Sequence, residues 1–97
     1  MVKSQVISEI AQKTGISRAD VQLTVEVFFQ TIQNAMAAGE KVHFRGFGSF
    51  ANKKRASRIA RNIPQNTALI IEEHYVPSFN PAKAFSAKIK ASIKADT

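Results

Sequence analysis

Seven basic side chains stand between Lys41 and Ile63 with no acidic residue among them: Lys41, Arg45, Lys53, Lys54, Arg55, Arg58 and Arg61. A one-signed run of that length repels itself, and a polyanionic partner is its natural counter-charge. Arg55, Arg58 and Arg61 recur every third residue, and Asn62, Ile63, Pro64 and Gln65 follow them. Guanidinium groups at such spacing can hold phosphates bidentately, whereas Lys53 and Lys54 add point charges that attract without orienting.

Other chemistries find no footing. There is no cysteine, so neither a disulfide framework nor a thiolate metal site is available. His43 and His74 have no third ligand at useful spacing, which removes the metal reading. Gly46-Phe47-Gly48 lacks the third glycine and the strand-to-helix setting of a nucleotide loop. Ser49, Ser57 and Tyr75 form no catalytic constellation with a general base placed by sequence, so no enzyme, cofactor or small-molecule substrate is expected. No apolar stretch approaches the ~18 residues of a membrane span. Nor does the mixed segment from Met1 to Thr14 read as a signal peptide. A soluble, cytoplasmic protein is expected.

The elements that position the basic run follow from periodicity. The 97 residues imply one domain with a net charge of +7. Residues 1–40 hold three basic and four acidic side chains and residues 41–97 eleven and three, so a near-neutral scaffold precedes an anion-binding half. Val6, Ile7, Ile10 and Ala11, with Gly15 as a stop, predict a helix over 3–14. Ser17 and Asp20 resemble a capping box, and Val21, Val25, Phe28, Ile32 and Ala35 continue a second helix to about Ala38, stopped by Gly39. Phe29 and Met36 make its stripe too wide for one neighbour.

Val42 and Phe44 alternate with Lys41, His43 and Arg45 as in a half-buried strand, Gly46 and Gly48 permit a tight turn, and a second strand starts near Ser49. Phe47, Phe50 and Phe79 are expected to pack in the core rather than stack on bases. The basic segment is ambiguous. Its three-residue arginine spacing suits a helix face, and a strand would send Arg58 to the side opposite Arg55 and Arg61. Ile63-Pro64-Gln65-Asn66 nevertheless reads as a reversal, and Ala68 to Ile71 as a returning strand, which together make a two-stranded arm. Asn80-Pro81 looks like an N-cap followed by a first helical proline, opening a last helix with Ala84, Phe85, Ile89 and Ile93 inward and Lys83 near its start. Without the arm the body is small for its wide apolar stripes, which favours a two-fold dimer sharing one core.

Gly46-Phe47-Gly48-Ser49-Phe50, then Arg55, Arg58, Arg61 and Asn62, and later Phe79 and Lys83, resemble the bacterial HU and integration host factor family of DNA-bending proteins over essentially the whole chain. The resemblance implies an α+β fold in a single HU-like domain over 1–97: a two-helix dimerisation part at 1–39, a three-stranded antiparallel sheet at 40–79 with a β-ribbon arm at about 52–75, and a C-terminal helix at 80–97, the whole an intertwined dimer. It further implies arms that embrace double-stranded DNA in the minor groove, an apolar tip residue wedged between base pairs, and a place in the nucleoid. The DNA-binding residues expected on this basis are Arg45, Lys53, Lys54, Arg55, Arg58, Arg61, Asn62, Ile63, Pro64, Gln65 and Lys83. At the tip the chain departs from the family, since Ile63 stands at the wedge position and Pro64 comes one place late, which leaves either Ile63 or Pro64 as the inserting residue, and Ala82 stands where glycine is frequent. A homodimer is expected, with a heterodimer of homologous chains as a variant. The function implied is weakly specific duplex binding and bending. Its alternatives are site-specific bending in the manner of integration host factor, an RNA-binding module in which residues 51–62 form an arginine-rich helix, and a structural interaction domain with incidental charge.

Overall fold

The computed structural model describes residues 1–62 and 67–94. Helix α1 spans Lys3–Thr14 and ends on Gly15 in the left-handed conformation, φ 76°, with the Gly15 amide donating to the Ala11 carbonyl. Helix α2 spans Arg18–Ala37 and starts as its sequence dictates: Ser17 Oγ accepts from the Asp20 amide at 3.2 Å. Beyond it, Ala38 caps the helix and Gly39, φ 86°, reverses the chain.

Strand β1 (Val42–Phe44) pairs antiparallel with β2 (Gly48–Arg55) across a three-residue turn, in which Gly46 adopts φ 79°. Strand β2 also pairs with β5 (His74–Pro81), giving a three-stranded sheet of order β1-β2-β5. Beyond Arg55 the chain leaves the ladder for Ala56 and Ser57, then pairs again as β3 (Arg58–Asn62) with β4 (Thr67–Ile71). Glu72 and Glu73 are the matching gap on the returning side. Two residues are skipped on each strand, so Arg55 opposite His74 and Arg58 opposite Ile71 belong to one unbroken register.

The strands decide one open alternative as expected and correct one reading. Residues 51–55 and 58–62 are strands, which removes the arginine-rich helix on which the RNA alternative stood. Asn80 and Pro81 do not open the last helix. They pair with Ser49 and Gly48 at the end of β5, and α3 runs Lys83–Ser92, shorter than the helix expected over 80–97 and with Ala82 at its N-cap. The proline costs little there, because β5 is an edge strand and part of its backbone needs no ladder partner.

Among the described residues the buried apolar side chains are Ile7, Val21, Ile32 and Met36, and α3 buries none. Phe47, Phe50, Phe79 and Phe85 pack on one another with ring centroids 4.8–6.3 Å apart, yet Phe47 is 47% exposed. Phe28 and Phe29 are open to a similar extent. The radius of gyration is 19.0 Å, against about 13 Å for a compact chain of this length. One copy thus forms the layers of a core but does not close it. No described helix is long and apolar enough to cross a membrane.

Candidate nucleic-acid interface

Cross-strand neighbours in a sheet project to the same side, so the register assigns each residue of the sheet to a face. Phe50 lies opposite Phe79 with rings 4.8 Å apart, and Asn52 Nδ2 donates to the Met36 carbonyl at 2.7 Å; these residues define the face turned to the helices. The other face carries Ser49, Ala51, Lys53 and Arg55 from β2, opposite Asn80, Ser78, Val76 and His74 from β5. His43 joins it from β1, its Nδ1 2.7 Å from Ser49 Oγ. The outer face of the sheet therefore carries two cations and no carboxylate.

Lys53 and Lys54 part company here. Lys54 pairs with Tyr75 on the helix-side face, and its Nζ lies 3.5 Å from a Glu73 carboxylate oxygen. Among the described residues no ion pair takes Lys53, Arg45, Arg55, Arg58 or Lys83.

Alternation through an unbroken ribbon would put Arg58 on the side away from Arg55. Across the two-residue gap between β2 and β3, Arg55, Ala56, Arg58, His74 and Val76 nevertheless line one concavity. Arg61 and Asn62 are placed by their backbone in β3, opposite Ala68 and Thr67. Ile63, Pro64 and Gln65, the expected tip, lie outside the described residues.

Arg45 and Lys83 occupy the other end of the sheet. Arg45 opens the turn between β1 and β2, and Lys83 is the first residue of α3, two residues beyond Pro81, which pairs with Gly48. The Ala82 amide donates to the Phe47 carbonyl, fastening α3 to that turn. Between Gly48 and Arg55 the strand rises roughly 24 Å at ~3.4 Å per residue, so the sequence-predicted cations form two groups, one at the turn and one at the root of the arm. His74 was not singled out as a binding residue by sequence. Its place beside Arg55 follows from the register, which no local signal in the chain fixes.

The comparisons agree with this geometry. Residues 1–90 match the family model described as bacterial DNA-binding protein. The DNA-binding protein HU of Thermotoga maritima is 40% identical over 90 residues, covering 93% of this chain and all of that one. Integration host factor subunit beta of Hahella chejuensis is 35% identical over 96 residues, 98% of each chain. Among solved structures, the Anabaena HU-DNA cocrystal structure superposes with a TM-score of 0.87 at 30% identity, covering 92% of this chain and 97% of that one. With a helical pair, a three-stranded sheet, a cationic ribbon and a closing helix in that order, the chain belongs to the bacterial DNA-binding protein family of HU and integration host factor.

Proposed function

We propose that two copies of this chain form a dimer that binds double-stranded DNA with weak sequence preference and bends it, as an architectural protein of the nucleoid. The observation that carries the reading is the outer face of the sheet, on which Lys53 and Arg55 stand free of carboxylates and lead directly into the cationic arm. Two cationic groups roughly 24 Å apart suit a long polyanion better than a small ligand. The unfinished core supports the dimer: Phe28, Phe29, Phe47 and Phe79 stay part-exposed in one copy, and a second copy would cover them. HU proteins of this family are dimers, and the Anabaena relative was crystallised with DNA.

In this mechanism the sheet and its turn hold the duplex through Arg45, Lys53, Arg55 and Lys83, and Lys54 contributes charge at longer range. Arg58, Arg61 and Asn62 carry the arm along the minor groove. At its end Ile63, flanked by Pro64 and Gln65, pries a base step apart. Unstacking costs a few kcal/mol per step, which the longer contact path of a bent duplex returns. No recognition helix offers a ladder of base-reading side chains, so selectivity arises from how easily a sequence deforms.

Binding to one short duplex, intact and nicked at its centre, measured across a salt titration, tests the proposal. Log K should fall by about 0.9 per phosphate contact for each unit of log salt, and the nicked duplex should bind more tightly because its bend is less costly. A steep salt slope with equal affinity for both duplexes would leave a basic DNA coat and refute bending.

A further inference from the structure

The gap in the ribbon assembles more than the two arginines. His74 lies directly opposite Arg55 and borders the concavity that Arg58 enters from the far side of the gap. Its Nδ1 is 2.9 Å from the Glu72 carbonyl oxygen. A carbonyl can only accept, so Nδ1 carries the proton of that bond and Nε2 is the nitrogen left for another partner. The neighbouring charges are divided between the two sides. From β2, Lys53 shares the outer face with Arg55, while Lys54 stands on the other side and draws the Glu73 carboxylate to within 3.5 Å. Glu72 follows Ile71 in the gap itself, and neither its carboxylate nor that of Glu73 lines the concavity. Two guanidinium groups and one imidazole edge therefore border a single hollow that no acid lines.

We propose that His74 completes a phosphodiester seat with Arg55 and Arg58 at the gap, its protonated Nε2 donating to a phosphate oxygen of bound DNA. The seat rests on the DNA-binding reading above and adds a residue and a control to it. Neutral imidazole offers Nε2 only as an acceptor and repels a phosphate lone pair, whereas imidazolium donates and adds a charge. A histidine side chain ordinarily changes charge between pH 5 and 8, so grip at the root of each arm tightens as pH falls through that range. A dimer carries two such seats.

The test is duplex affinity by fluorescence anisotropy at fixed ionic strength from pH 5.5 to 8.5, for the wild-type protein, His74→Gln and His43→Gln. The wild-type protein and His43→Gln should gain about tenfold or more in affinity on acidification, the equivalent of one pKa unit of coupling, and His74→Gln should lose most of that gain while matching wild-type affinity at pH 8.5. In NMR titrations the His74 ring should acquire a higher midpoint with duplex present, and inorganic phosphate at the same phosphate concentration should leave it in place. An undiminished acid gain in His74→Gln, or an equal response to inorganic phosphate, overturns the seat while DNA binding stands. Failure of the wild-type protein to bind duplex at any of these pH values overturns both.

Discussion

Gly48 lies so close to Phe79 and Asn80 that a Cβ at this glycine would stand 2.5 Å from the Asn80 carbonyl oxygen and 2.7 Å from the Phe79 ring. Its φ of 156° adds a backbone demand that other residues meet poorly. Gly48→Ala should therefore destabilise the protein by about 1–3 kcal/mol, as overpacking does. Urea unfolding at fixed protein concentration will read this as a lower midpoint, whereas Gly15→Ala, where the added carbon meets no atom within 4 Å, should cost only the strain of its left-handed backbone.

Asn52 ties the sheet to the second helix by donating to the Met36 carbonyl, one of the last of α2, at 2.7 Å. Asn52→Ala removes this tether while the Gly39 amide still donates to the carbonyl at 3.0 Å, so the change should cost about 0.5–1.5 kcal/mol, the worth of one hydrogen bond. The number of phosphate contacts is untouched, so the salt slope of DNA binding should equal that of the wild-type protein. A flatter slope would make Asn52 a DNA contact instead.

Lys53 and Lys54 are neighbours in sequence and should differ in effect. Lys53→Ala should weaken duplex binding several-fold and reduce the salt slope by about 0.9, the value of one phosphate contact. Lys54→Ala should change both much less, since its ammonium lies beside Glu73 on the helix-side face of the sheet. Equal losses in the two variants would show that the strand faces do not sort the contacts.

Ile63→Ala should separate grip from bending. Affinity for intact duplex should fall little, while the bend, read by energy transfer between end-labelled strands, should shrink. The preference for nicked duplex should grow, because a pre-flexed site no longer needs the wedge. An unchanged bend would pass the wedge role to Pro64.

Where local chemistry decides, the sequence was readable. Ser17 caps α2, Gly15 and Gly39 take left-handed conformations after their helices, and Gly46 turns β1 into β2, all through bonds within a few residues. Pairing between distant segments was less so. Asn80-Pro81 has the local form of a helix start, but ladder partners at Ser49 and Gly48, some thirty residues away, hold it in β5. The arginines spaced by three argued for a helix and for conflicting strand faces. Arg55 and Arg58 border one concavity across the gap at Ala56-Ser57 and Glu72-Glu73, and neither dipeptide carries a breaker such as glycine or proline to announce that gap. His74, weighed only as a metal ligand, was not read as a binding residue for the same reason. A histidine gains meaning only from what lies opposite it, and register is a property of two strands together.

The matched gap also sets a rule for how such an arm can change length. Because pairing continues in one register on both sides of it, a residue inserted in one strand alone must be absorbed as a bulge, and one added to each strand turns every distal side chain over. Only increments of two residues per strand lengthen the arm while keeping its arginines aimed as they are. Reach in this fold is thus quantised: variants of the ribbon should be sought in steps of four residues, each adding roughly 7 Å of span.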